Sequence, residues 1–134
     1  MNNPDLIQDI ADMGQKFGVN AAVRKLSPEM LYEYVQFRIG CLEEELEELK
    51  LAKTGDDAVD AIIDLLVFGI GTLSQLDVDV AEAWRRVHAA NMTKSPGIKP
   101  GRPNPWNLPD LVKSADWKAP DHHDNVGLFS KIMS

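Results

Sequence analysis

The sequence predicts an all-α protein, an up-and-down helical bundle of four main helices with an irregular Pro-rich C-terminal arm. Three observations lead there. Start signals of the form Asn3-Pro4 and Ser27-Pro28 open long stretches free of breakers, and proline at the first helical position suits a helix start. Apolar residues then recur at intervals of three and four, the period of a helix facing a core. Six of the eight prolines fall in the last 40 residues, where a regular helix cannot continue.

In chain order, Asn3-Pro4 and Gly18 bound a first helix over residues 4–17, with Leu6, Ile10, Met13 and Phe17 as its inward stripe. Ser27-Pro28 opens a second, reaching residue 53 before Thr54-Gly55, with Leu31, Tyr34, Val35, Ile39, Leu42, Leu46 and Leu49 on one face. Asp56 is placed to cap a third, running to Leu76, which is apolar nearly all round and therefore suits the middle of a bundle or a subunit interface. Asp79 and Glu82 have capping-box spacing and open a fourth that fades between Asn91 and Lys94. Short links make such helices antiparallel neighbours. The expected organisation is a helical domain over 1–94 and an extended arm over 95–134, packed through Trp106, Leu108, Leu111, Trp117 and Phe129 or only loosely held.

Composition narrows the function. Fourteen basic residues against 21 acidic ones give a net charge of −7, the wrong sign for gripping a phosphate backbone by bulk charge. No nucleic-acid partner is expected. The single cysteine, Cys41, excludes an intrachain disulfide. The start of the sequence lacks the basic and apolar regions of a signal peptide, and the longest apolar run, Ala61 to Leu73, is interrupted by Asp64 and too short to cross a bilayer. The expectation is a cytoplasmic protein with no membrane partner.

The charge is concentrated. Nine acids and two bases lie between Glu43 and Asp64. Asp60 and Asp64 stand four apart, hence on one face of the most apolar helix, and that helix carries no base. The neighbouring helix offers Glu45 and Glu48 on its matching face. Burying unpaired carboxylates is costly, and four meeting across two helices raise one another's pKa unless a cation neutralises them. All-oxygen ligation without paired histidines or cysteines favours Mg²⁺, or Mn²⁺, over Zn²⁺. A di-iron bundle would need Glu-x-x-His pairs, and His88, His122 and His123 stand in no such spacing.

Glu44-Glu45-Leu46-Glu47-Glu48-Leu49, then Asp60-Ala61-Ile62-Ile63-Asp64-Leu65-Leu66, then Val87 to Lys94 closely resemble the MazG-like all-α nucleoside triphosphate pyrophosphohydrolases, to which phosphoribosyl-ATP pyrophosphohydrolase and dimeric dUTPase look related. The resemblance covers about residues 5–94, and the Lys113 to Asp121 stretch, with Trp117-Lys118-Ala119-Pro120-Asp121, is similar to the tails of some members. It implies that Glu45, Glu48 and Asp64 are metal ligands and that Glu44 orients or deprotonates water. The family pattern ends in E-x-x-D, which would put glutamate at 61, whereas this chain has Ala61 and an acid one step earlier, Asp60. Asp60 shares a face with Asp64 and is the fourth ligand candidate. Asn91 and Lys94 match an Asn-x-x-Lys that presents an amide and an ammonium to phosphate or sugar.

Three readings follow. The first is Mg²⁺-dependent hydrolysis of a nucleoside or deoxynucleoside triphosphate to monophosphate and pyrophosphate. The second is the same chemistry on phosphoribosyl-ATP or a nucleotide alarmone. The third is a non-enzymatic acidic helical module that binds a partner. The apolar girth of the third helix predicts a homo-oligomer, dimer or tetramer.

Overall fold

The computed structural model describes residues 2–133, which divide into two compact units, 2–80 with 125–133 and 81–124. The first unit holds α1 (Leu6–Phe17), α2 (Val19–Arg24), α3 (Pro28–Leu51), α4 (Gly55–Gln75) and a closing 3-10 turn, Gly127–Lys131. The second holds nearly all of α5 (Val80–Met92) and two short strands, β1 (Ser95–Gly97) and β2 (Asp110–Val112). The chain is predominantly helical, as expected of an all-α protein.

Local chemistry explains where the helices begin. Ser27 is extended and its hydroxyl accepts from the Met30 N–H at 3.2 Å, with Pro28 in the first turn of α3. Two other starts differ from the sequence reading. Asp5, not Asn3, caps α1, because its carboxylate accepts from the Gln8 N–H at 3.0 Å. Thr54, not Asp56, caps α4 through the Asp57 N–H at 3.1 Å. Asp56 and Asp57 occupy the first turn of α4 instead, where the helix dipole favours negative charge.

Gly18 ends α1 in the left-handed conformation, φ +70°, and the chain at once enters α2. That six-residue helix is not legible in the sequence, where Gly18 signals only a stop.

The core of the first unit is Val23, Leu31, Val35 and Leu76, with Leu31 and Leu76 essentially inaccessible. Leu128, Phe129 and Ile132 pack against it from the 3-10 turn. The Leu128 N–H donates to the Leu76 carbonyl at 2.6 Å, and the Asn125 amide is paired with both backbone groups of Asp79. Residues 125–133 therefore belong with the helices and are not free arm.

Two apolar expectations change. Of the α1 stripe, Leu6, Met13 and Phe17 are exposed and only Ile10 is half-buried. α4 does not lie in the middle of this chain: Ala61 and Gly71 are buried, while Val59, Ile62, Ile63 and Leu66 are exposed along one side. In the second unit Trp106, Leu108 and Leu111 are exposed, and Trp117 is the half-buried anchor.

Candidate functional site

α3 and α4 are the most extensively packed pair, and the partners along them run in opposite senses. The Tyr34 hydroxyl donates to the Gln75 side chain, and Arg38 reaches Thr72 and Phe68. Further along, Glu45 faces Glu48, Asp64 and Asp60. Those contacts define an antiparallel seam with a polar clamp at one level and carboxylates about two helical turns away, seven residues at roughly 1.5 Å each.

The clamp is Arg38. It is 9% exposed, the one buried charged residue among those described. Its Nε donates to Thr72 Oγ1 at 2.9 Å, its Nη2 donates to the Phe68 carbonyl at 3.0 Å, and its guanidinium lies 5.0 Å from the Phe68 ring centroid. Gly71 leaves room for it, because a Cβ there would stand 3.0 Å from Nη2. Arg38 also lines a cavity of about 190 Å³ together with Ile10, Met13, Asn20, Val67 and Phe68. Sequence reasoning missed Arg38, since one arginine in a long helix carries no signal of burial.

At the carboxylate level Glu45 and Asp64 are half-buried, whereas Glu48 and Asp60 are exposed. Burial, then a hydrogen bond with Glu48, then the negative charge of Glu48, Asp64 and Asp60 hold the Glu45 carboxyl above the usual carboxylate range. Its Oε2 is buried without a hydrogen-bond partner. None of the four has a Lys, Arg or His within 4 Å among the described residues. Four of the predicted residues are thus gathered in one electrostatic neighbourhood with no internal counter-ion. As placed, no three His, Cys, Asp or Glu side chains among the described residues stand close enough to hold a metal ion.

Ala61, where the family pattern has glutamate, is 2% exposed. A carboxylate there would be buried in the helix packing, while Asp60 sits one step round the helix in the open and is the last and weakest influence on Glu45. Glu44 is exposed and borders a shallow depression with Glu43, Glu47 and Lys50. It is not among the groups acting on Glu45.

Asn91 and Lys94 belong to the second unit, at the end of α5. The Lys94 N–H donates to the Asn91 carbonyl at 3.1 Å, and the Lys94 ammonium lies 5.2 Å from the Trp117 ring centroid.

Fold and site define a class: an all-α protein in which two antiparallel helices collect carboxylates that the protein leaves unneutralised. The family model of phosphoribosyl-ATP pyrophosphohydrolase matches residues 18–91, more than half of the sequence, and the chain belongs to that family, which is related to the MazG-like nucleoside triphosphate pyrophosphohydrolases. The matched segment contains α3, α4 and the five candidate acids Glu44, Glu45, Glu48, Asp60 and Asp64. No curated protein and no solved structure matches the chain. The family points to a hydrolase releasing pyrophosphate from a nucleotide-like substrate.

Proposed function

We propose that the protein hydrolyses the α–β phosphoanhydride of a nucleoside or deoxynucleoside triphosphate, with Mg²⁺ or Mn²⁺, to nucleoside monophosphate and pyrophosphate. The observation carrying this reading is Glu45: a half-buried carboxylate with an orphaned oxygen and a raised pKa, facing Glu48, Asp60 and Asp64 with no base within 4 Å among the described residues. The donor set is all oxygen and fits a hard divalent cation. Glu45, Glu48, Asp60 and Asp64 would hold it. When bound, it neutralises phosphate oxygens and lowers the pKa of water.

The residues of this chain do the rest by position. Glu44, on the open edge of the same helix segment, accepts the proton of the attacking water. Water oxygen joins phosphorus, the anhydride bond breaks, and pyrophosphate leaves with its electron pair. Asn91 and Lys94 present an amide and an ammonium to the sugar or the phosphates. The exposed apolar side of α4, Val59, Ile62, Ile63 and Leu66, supports a homo-oligomer, dimer or tetramer, built on that side.

Phosphoribosyl-ATP is the second reading, favoured by the family model that matches. Pyrophosphate release measured over a panel of ribo- and deoxynucleoside triphosphates and phosphoribosyl-ATP, with and without Mg²⁺, decides between them. Release from no member of the panel overturns the enzymatic reading and leaves the acidic interaction module.

A further inference from the structure

The first unit carries sixteen acidic residues against seven basic ones, so partners for its cations are plentiful. Arg24, on the surface, has one: its guanidinium holds the Asp77 carboxylate through Nε and Nη2. Arg38, the buried one, has none, since no carboxylate oxygen lies within 4 Å of it among the described residues. Its two hydrogen bonds go to neutral oxygens, the Thr72 hydroxyl and the Phe68 carbonyl, and use two of the five N–H groups of a guanidinium. Nη1 donates to nothing among the described residues and is not sealed by packing. A buried charge without a counter-ion is costly, and in this unit the cost is not forced by a shortage of acids.

Arg38 borders the cavity of about 190 Å³ described above, which lies wholly within the first unit. Ile10, Met13 and Phe17 of α1 and Val67 and Phe68 of α4 make its walls largely apolar. An apolar cavity of about 150 Å³ takes up benzene, so this one has room for a six-membered ring and one small polar group. The polar groups converge at Gly71, where a Cβ would stand 3.0 Å from Arg38 Nη2 and 4.0 Å from Gln75 Nε2. Gln75 Oε1 accepts from the Tyr34 hydroxyl, which leaves Nε2 as the open end of the amide. Both groups at Gly71 are donors, and one is a cation. Asn20 Oδ1, the orphaned acceptor nearby, is inaccessible and packed against Gly14, where a Cβ would stand 2.5 Å from it. It makes no demand on an occupant.

We propose that this cavity is a binding site for a small monocarboxylate with a compact apolar body, an aromatic acid of the size of benzoate. An ionised carboxylate only accepts hydrogen bonds and meets a guanidinium with two oxygens at once. One negative charge answers the one buried positive charge, and the ring covers the apolar walls. Inorganic phosphate has no body to place against those walls. A nucleobase brings N–H donors to an end that is already all donor. The occupant bridges α1, α3 and α4, and so braces the seam that sets Glu45 against Asp64; its role is regulatory. The inference does not rest on the function proposed above.

The test is a titration of the full chain, with isotope-labelled methionine methyl groups, by sodium benzoate in EDTA at constant ionic strength. The Met13 methyl is assigned through Met13→Leu. Saturable movement of the Met13 signal in the millimolar range is expected, with Met30, Met92 and Met133, which lie outside the cavity, unmoved. Benzamide, of the same shape without the charge, should bind about tenfold more weakly. Arg38→Met should weaken benzoate by about tenfold and abolish its advantage over benzamide, and Gly71→Ala, which keeps the charge but fills the approach to it, should weaken both ligands. Should circular dichroism show Arg38→Met unfolded, the comparison of benzoate with benzamide on the parent chain decides alone. No saturable movement of Met13, equal affinity for benzoate and benzamide, or undiminished benzoate binding by folded Arg38→Met overturns the site. Tighter binding of free uracil or adenine than of benzoate also overturns it, and makes the cavity a nucleobase pocket.

Discussion

Replacing Arg38 with methionine tests how the α3–α4 seam is held. The change keeps most of the side-chain length and removes two hydrogen bonds from a charged donor, to Thr72 Oγ1 and to the Phe68 carbonyl, along with the contact to the Phe68 ring. Bonds of this kind contribute about 1.5–3 kcal/mol each, and relief of the desolvation of a buried charge offsets part of the loss. The Phe68 carbonyl is not orphaned, since the Thr72 hydroxyl also donates to it at 2.7 Å. The net expectation is a loss of about 2 kcal/mol, which in a chain of this size lowers the thermal midpoint by roughly 5–10 °C.

Arg38 and Glu45 are seven residues apart on one face of α3, and Asp64, Phe68 and Thr72 follow at intervals of four on α4. Loosening the clamp therefore lets the helices slide at the level where Glu45 meets Asp64. Arg38→Lys keeps the charge but not the forked donor, so it should recover less than half of the loss. Urea unfolding followed by circular dichroism measures all three proteins. A difference below about 0.5 kcal/mol between parent and Arg38→Met would refute the reasoning, since that is the scatter of surface substitutions.

Other expectations follow from single observations. With no divalent cation present, the raised pKa of Glu45 means that the folded chain holds its proton more tightly than the unfolded chain does. That contribution to stability is complete below the unfolded carboxylate value and is lost as pH rises through the higher folded value. A stability-against-pH series should show this fall, and Glu45→Gln should flatten it. Gly127→Ala should destabilise by roughly 3 kcal/mol or more, because φ is +52° and the new Cβ would stand 2.0 Å from the Leu76 carbonyl oxygen. Chemical denaturation midpoints check it. Gly69→Ala, with nothing within 4 Å of its Cβ position, should stabilise by about 0.5–1 kcal/mol, whereas Gly71→Ala should weaken the seam by crowding Arg38 Nη2.

The parts of this fold that could be read beforehand are those written in local chemistry. Ser27-Pro28 announces α3 because a hydroxyl acceptor and a proline that needs no partner are both suited to a helix start. The meeting of Glu45 and Glu48 with Asp60 and Asp64 was readable because two acidic pairs at helical spacing flank a short link. The cap shifts to Asp5 and Thr54 were not, since neighbouring residues of equal capping ability compete and backbone geometry chooses. Nor was the burial of Ala61 beside the exposed Asp60, which depends on how α4 is rotated against α3. The Arg38 clamp and α2 depend on contacts between segments far apart in sequence or on a very short element, and periodicity is silent on both.

Manganese uptake tests most directly whether these side chains act together on a divalent ion. Free Mn²⁺, followed by electron paramagnetic resonance while protein is added, should fall with saturable stoichiometric binding in the parent chain. In Glu45→Gln and Asp64→Asn, with circular dichroism unchanged, that binding should be lost. Equal uptake by the parent and both variants would contradict the account.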